Sequence, residues 1–203
     1  MARRLAPEAR RAEIIARTRE MIATRGAEGL SLREVARWCG MTAPGLLHHF
    51  DGLAAVLEAV LEERADEEIR IYAQAIDAIG DHATLRDLAD ATVRVTAERR
   101  EESANFDRLE MIALMDRAHP LHEYYRHGKD IRRLRPLTLA LAEREYEDPL
   151  AVVSVLGLVA EGLRLRWLRS ETIPDYEADW AAVRDTVFAG FEQLRKDRPL
   201  AAR

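Results

Sequence analysis

The sequence predicts an all-α protein of about nine helices. Alanine, leucine, glutamate and arginine, which have high helix propensity, dominate nearly every segment. No stretch shows the sustained alternation of apolar and polar residues that marks a half-buried β-strand. Glycines fall where one helical pattern ends and the next begins, as at Gly26, Gly40 and Gly80.

Composition narrows the class of protein further. Of the 203 residues, 48% are hydrophobic and 33% charged, which is typical of a globular protein with a sizeable core. No apolar run reaches the roughly 18 residues of a membrane-spanning helix, and residues 1–8 lack the apolar stretch of a secretory signal. The single cysteine, Cys39, excludes an internal disulfide and a cysteine-based zinc site. We therefore expect a cytoplasmic protein with no membrane partner, no metal and no cofactor.

Positive charge is concentrated at the N-terminus. Residues 1–50 contain nine arginines and five glutamates, a net charge of +4. The remaining residues contain 22 Lys and Arg against 31 Asp and Glu, a net charge of −9. A basic N-terminal segment followed by an acidic remainder of the chain indicates that only the N-terminal segment binds a polyanion.

Three helices are predicted within this basic N-terminal segment. Pro7 suits the first turn of the first helix, where its missing N–H is not needed. Ser31 and Glu34 have the spacing of a capping box at the start of the second helix. Thr42 is a suitable N-cap for the third helix, and Pro44 is tolerated because it falls in the first turn.

The second and third helices predict a helix-turn-helix over residues 31–50. Such a motif needs a small residue where its helices approach, a glycine with positive φ at the turn, and apolar residues on either side. Ala36, Gly40 and Leu46 meet these needs in order, and Cys39 extends the buried face. The alternative is an ordinary helical corner in a core.

A helix-turn-helix at this position predicts a set of DNA contacts. Arg33 and Arg37 on the second helix are placed for backbone phosphates, as is the hydroxyl of Thr42. The small residues of the third helix allow close approach to the major groove, where Ala43 can touch a thymine methyl group. His48 either binds a phosphate or base edge or is a solvated helix end. The predicted DNA-binding residues are Arg33, Arg37, Thr42, Ala43, Gly45, Leu47 and His48.

Residues 40–50, Gly-Met-Thr-Ala-Pro-Gly-Leu-Leu-His-His-Phe, resemble the recognition-helix signature of tetracycline-repressor-like (TetR family) regulators. Residues 161–168 are similar to a late helix of many members. The resemblance implies a homodimer with an N-terminal DNA-binding domain and a C-terminal ligand-binding and dimerisation domain, most often a repressor released by a small ligand. Many members have tyrosine where Leu47 stands and lysine where Leu53 stands, and both usually bind phosphate.

We predict a DNA-binding domain over residues 1–52 and a ligand-binding and dimerisation domain over residues 53–203. The last two long helices have broad apolar faces, and two such pairs would form a four-helix interface between subunits. A dimer spaces its recognition helices by about 34–36 Å, which predicts a pseudo-palindromic operator in double-stranded DNA. The alternative is that these faces form an intramolecular core. The predicted dimerisation residues are Leu156, Leu163, Trp180, Val187 and Phe191.

The middle helices are expected to enclose the site of a small-molecule effector. Such sites have mostly apolar walls and a few polar groups, and the effector would shift the population towards a dimer with wrongly spaced recognition helices. Each candidate residue could instead belong to the core or the surface. The candidates are Asn105, Phe106, Glu110, Met111, Met115, His122, Tyr125 and Trp167.

Two other classes of protein compete with this interpretation. A small helical enzyme is disfavoured, because the histidines at 119 and 122 lack the spacing of a zinc protease motif, and no phosphate loop or nucleophile elbow is present. A helical interaction module would show no salt-dependent binding to DNA. Repression and activation are both open, because the outcome depends on the position of the operator.

Overall fold

The computed structural model describes residues 6–128, 131–169 and 175–196. Within these ranges the chain is helical and contains no β-sheet, which confirms the all-α prediction. The helices are α1 (Pro7–Arg25), α2 (Leu32–Trp38), α3 (Ala43–Leu47), α4 (Leu53–Ile79), α5 (Leu85–Glu98), α6 (Arg100–Met115), α7 (His122–Arg126), α8 (Ile131–Glu145), α9 (Pro149–Arg169) and α10 (Tyr176–Phe191). No helix in the described part of the chain is long and apolar enough to cross a lipid bilayer.

The helix count exceeds the predicted one because one predicted helix is divided. The sequence predicts a single helix over residues 119–146, with a possible break at Pro136. In the structure α7 ends at Arg126, α8 begins at Ile131, and Pro136 lies inside α8. Gly128 has φ +60°, a left-handed conformation that glycine adopts readily and that ends a helix. The break therefore lies at the glycine and not at the proline.

The chain divides into two compact units that do not follow chain order. Unit 1 comprises residues 1–68 and 100–133, and unit 2 comprises residues 69–99 and 134–203. Unit 1 therefore adds α6 and α7 to the first three helices and the first part of α4. The predicted boundary at residues 52–53 falls within unit 1. As a division between DNA binding and effector binding, that boundary stays a prediction.

Two clusters of buried side chains form the core of unit 1. The first joins α1, α2, α3 and the start of α4 around Ile14, Val35 and Leu46. The second joins α1, α4, α6 and α7 around Ile22 and Phe106. Because α1 contributes to both clusters, its buried residues pack on α2 and α3 in one cluster and on α4, α6 and α7 in the other.

The core of unit 2 is lined by the inner faces of α9 and α10. Trp167 on α9 packs on Tyr176 of α10, with ring centroids 5.2 Å apart. Trp180 is also buried, and its indole N–H donates to Asp90 Oδ1 on α5 at 2.6 Å. The hydrogen bond satisfies the one polar group of the indole, which allows the rest of the ring to lie in an apolar core.

Candidate nucleic-acid interface

Side-chain caps fix the first turns of α2 and α3. Ser31 Oγ accepts a hydrogen bond from the Glu34 amide at 3.3 Å, and Thr42 Oγ1 accepts one from the Gly45 amide at 3.2 Å. Both predicted N-caps are thereby confirmed. The Glu34 carboxylate lies 3.7 Å from the Arg37 guanidinium on the same helix.

The turn between α2 and α3 has the predicted geometry. Gly40 has φ +66°, which a residue with a Cβ adopts only with strain. The Met41 amide then donates to the Ala36 carbonyl at 2.9 Å, closing the turn on the end of α2. Ala36 and Leu46 are both buried in the first core cluster, so the two helices of the helix-turn-helix share one core.

Helix α3 has one buried face and one exposed face. Leu46 is buried, Ala43 packs on the same cluster, and Phe50, which follows the helix, is buried there as well. The exposed face carries Pro44, Leu47 and His48. Residues three and four apart lie on one side of a helix, so this face is continuous. Any surface that α3 presents to DNA must consist largely of these side chains.

Helix α1 holds the end of the recognition element in place. The guanidinium of Arg11 lies 3.9 Å above the centre of the Phe50 ring. The same group donates to the His49 carbonyl at 2.6 Å. A cation over an aromatic face and a charge-assisted hydrogen bond both stabilise this contact. Arg11 therefore has a structural role at the end of the helix-turn-helix.

The predicted DNA-binding residues lie together on α2 and α3. Arg33, Arg37, Thr42, Leu47 and His48 are exposed, and the two arginines lie one helical turn apart on α2. Ala43 and Gly45 are half-buried. Packing of Ala43 on the core leaves it less available for the thymine contact that the sequence predicts. Direct binding of these residues to DNA stays a prediction.

The predicted effector residues are distributed over both units. Trp167 belongs to unit 2, whereas the other seven belong to unit 1. Phe106 and Tyr125 are buried in the second core cluster, and the Asn105 side-chain amide donates to the Ala23 carbonyl of α1 at 2.8 Å. These four residues therefore pack or form links within their own units, and their contact with an effector stays a prediction.

Four of the predicted effector residues remain accessible. Met115 is 82% exposed and Met111 is exposed on the same helix, while Glu110 is half-buried. His122 is half-buried, and its Nδ1 lies 2.9 Å from the Ala113 carbonyl. In the described ranges, no group of three or more metal-ligating side chains lies close enough to hold an ion.

The predicted dimerisation residues lie on the inner faces of α9 and α10. Leu163, Trp180 and Phe191 are buried within their own chain, and Leu156 and Val187 are half-buried. The three buried side chains pack within their own chain, as in the alternative that the sequence left open. A role of these five residues in dimerisation stays a prediction. An apolar stripe of a helix usually faces the core of its own chain.

A charged link between α1, α4 and α6 is absent from the sequence-based prediction. Arg19 Nε donates to Glu102 Oε1 at 2.7 Å, and its Nη1 pairs with the Glu67 carboxylate. The Asn105 bond to α1 lies beside this link in sequence. No local pattern could have identified these partners, because 83 and 48 residues separate them from Arg19. Helix α6 is thus tied directly to the helix that supports the helix-turn-helix.

Cys39, the only cysteine in the sequence, is buried in the first core cluster, so its reactivity measures whether that cluster is folded. Burial raises the pKa of the Cys39 thiol, although a contact with the Thr18 hydroxyl opposes the shift. Because the thiolate is the reactive form, we expect negligible reaction with a thiol reagent near pH 8 in the folded protein and rapid reaction in urea. Fast labelling of the folded protein would contradict the packing described for α1 and α2.

Two capped helices around a glycine turn, with an exposed recognition face, define a helix-turn-helix DNA-binding protein. Residues 14–60 match the family model described as bacterial regulatory proteins, tetR family. The match covers most of α1, the helix-turn-helix and the first part of α4, and it supports the resemblance of this N-terminal segment to bacterial regulatory proteins of the tetR family. No curated protein sequence matches the chain.

Solved structures share the whole fold. A TetR transcriptional regulator from Rhodococcus sp. RHA1 is 18% identical, with a TM-score of 0.61 over 91% of this chain and 98% of that one. NalD, the secondary repressor of the MexAB-OprM multidrug efflux pump in Pseudomonas aeruginosa, is 19% identical, with a TM-score of 0.63 over 94% and 97%. The fatty acid degradation regulator FadR from Bacillus halodurans is 13% identical, with a TM-score of 0.64 over 94% and 99%.

Proposed function

We propose that the protein is a ligand-responsive repressor that binds a pseudo-palindromic operator as a homodimer and leaves it when a small molecule binds. The observation that carries the proposal is the helix-turn-helix with its exposed face on α3. The Thr42 cap fixes the start of this helix, and Arg11 contacts the residues that follow its end. The similar structures include a repressor of an efflux pump and a regulator of fatty acid degradation, which supports a regulatory role. Release by a small ligand is what the resemblance to the family implies. Because bacterial DNA lies in the cytoplasm, the protein would act there.

Footprinting tests this proposal directly. On DNA that flanks the protein's own gene, we expect protection of a pseudo-palindrome whose half-sites lie about one helical turn apart or a multiple of it. Absence of salt-dependent binding to any DNA would overturn the proposal and favour a helical interaction module.

Replacement of Arg33 by alanine is expected to weaken DNA binding with little regard to sequence. The slope of log affinity against log salt falls by about one for each phosphate that the protein no longer neutralises. A dimer has two copies of Arg33, so its slope should fall by about two. Fluorescence anisotropy at several salt concentrations measures this slope. The control is Arg126→Ala, which removes an exposed arginine of α7 that pairs with Glu123. An unchanged slope in the Arg33 variant would exclude a phosphate contact there.

The outer faces of α9 and α10 are the surfaces that we assign to the homodimer. On α9, Val155 and Leu158 are exposed, and Gly162 lies on the same side of the helix. The exposed side of α10 carries small residues, among them Ala182 and Ala189. Small side chains allow two helices to approach closely, and exposed leucine and valine supply apolar area, so two copies of this pair could form a four-helix interface.

The effector is proposed to act through α6. The accessible residues Glu110, Met111, Met115 and His122 would contact it, and displacement of α6 would reach α1 through the Arg19 and Asn105 bonds. A thermal-shift screen of small metabolites and drugs would identify an effector as a compound that raises the melting temperature and also releases DNA. A compound that stabilises the protein without releasing DNA would count against this coupling.

A further inference from the structure

We propose that Leu47 reads a thymine methyl group in each half-site of the operator and thereby determines part of its sequence. The inference rests on the proposed function, because it concerns the base that the recognition element selects. Leu47 is 49% exposed, whereas its neighbour Leu46 is completely buried. A large apolar side chain is thus directed away from the core at the last residue of α3.

The surroundings of Leu47 give this side chain a defined position. It lies between Pro44 and His48 on the exposed face of α3, and His48 continues the right-handed helical backbone. The helix is fixed by the buried Leu46, by the Thr42 cap and by the Arg11 contact with the next turn. The backbone is therefore already ordered before this face meets DNA, which lowers the entropic cost of binding.

The chemistry of the major groove then selects the partner. Base edges in that groove offer hydrogen-bond donors and acceptors, and the thymine C5-methyl is their one apolar group. Leucine has no polar atom and cannot read the donors and acceptors. A side chain of this kind gains free energy only by removing apolar surface from water, and a thymine methyl is the surface that the groove supplies.

Leu47 is better suited to this contact than Ala43, to which the sequence assigns it. Ala43 packs on the first core cluster and is half-buried. Its single methyl group also reaches less far from the backbone than the leucine side chain does. Leu47 belongs to neither core cluster, so its exposed carbons remain free for DNA.

The test uses the operator identified by footprinting and the full-length protein. Each thymine is replaced in turn, in both half-sites, by deoxyuridine, which keeps the base-pairing edge and lacks only the methyl group. Dissociation constants are measured by fluorescence anisotropy at one fixed salt concentration, because affinity depends strongly on salt. The same operators are measured with Leu47→Ala, with Leu47→Met, and with the control Ile79→Ala, which removes a comparably exposed residue (47%) from the end of α4.

At one thymine per half-site, we expect deoxyuridine to weaken binding by the unchanged protein about fourfold per half-site, as burial of one methyl group predicts. Leu47→Ala should bind the thymine operator and the deoxyuridine operator equally. Leu47→Met and Ile79→Ala should keep most of the difference in affinity between these two operators. A C·G pair at that position should bind more tightly when the cytosine carries a 5-methyl group. Because Leu47 is exposed, its variants should melt within about 2 °C of the unchanged protein.

Two outcomes would overturn the inference, and they are distinguishable. In the first outcome the protein binds the operator, but at every thymine deoxyuridine has the same effect on the unchanged protein and on Leu47→Ala. This result would overturn the role of Leu47 and leave the proposed function intact. Absence of salt-dependent binding to any DNA would overturn the proposed function and this inference with it.

Discussion

Replacement of Leu158 by aspartate is expected to yield folded monomers that bind the operator at least about a hundredfold more weakly, because two linked binding modules gain a factor of this size over one. Leu158 is 70% exposed on the outer face of α9, so the variant should fold normally. In a symmetric dimer the same surface patch of both subunits forms the interface. The substitution would therefore bring two carboxylates, one from each subunit, into an apolar interface. Light scattering measures the oligomeric state, and fluorescence anisotropy measures the affinity.

The control for this prediction is Ile79→Asp, which adds the same charge at an exposed residue of α4 outside the proposed interface. It should remain dimeric and bind the operator normally. Trp180→Asp is a poor test, because Trp180 is buried and hydrogen-bonded to Asp90. That variant would place an uncompensated carboxylate in the core and unfold unit 2. A stable Leu158→Asp dimer would show that the interface lies on another face.

Replacement of Phe106 by alanine is expected to lower the free energy of unfolding of unit 1 by about 3–5 kcal/mol, the usual cost of removing a buried phenylalanine ring. Phe106 is completely enclosed by α1, α4, α6 and α7, and the guanidinium of Arg64 lies 4.6 Å from the centre of its ring. The prediction therefore treats Phe106 as a core residue and not as an effector contact.

Urea unfolding followed by the reactivity of Cys39 measures this change at a fixed protein concentration, since dimerisation makes stability depend on concentration. The control is Met115→Ala, a truncation on the same helix at a residue that is 82% exposed. It should change stability by no more than about 0.5 kcal/mol. If Phe106→Ala retained full stability and lost only effector release, Phe106 would line a binding cavity after all.

The recognition element was the part of the structure most accessible from sequence. The caps at Ser31 and Thr42, the turn at Gly40 and the buried contact of Ala36 all depend on interactions within about ten residues. Short-range hydrogen bonds and backbone conformations of this kind are set by the residues that form them. The motif and the all-α class could therefore be predicted from one chain.

The effector and dimerisation residues could not be assigned from local patterns in the same way. Apolar periodicity predicted which side of the helices that carry Trp180 and Leu163 is buried. It did not show whether that side packs on the same chain or on a second subunit. Phe106 and Tyr125 have side chains suited equally to a core and to a ligand site. Only packing against other helices decided that these residues fill the interior of their own units.

By itself, the sequence determined the helix-turn-helix over residues 31–50, its capping residues and its place in a basic N-terminal segment, because local hydrogen bonds and charge are encoded locally. The tertiary structure decided which apolar faces stay exposed, and it left Leu47 exposed to solvent while burying Leu46. It also decided that α6 is linked to α1. The Arg19 link connects residues 48 and 83 positions apart. Contacts over such separations depend on how every intervening helix packs, so they follow from the fold as a whole and from no segment of it.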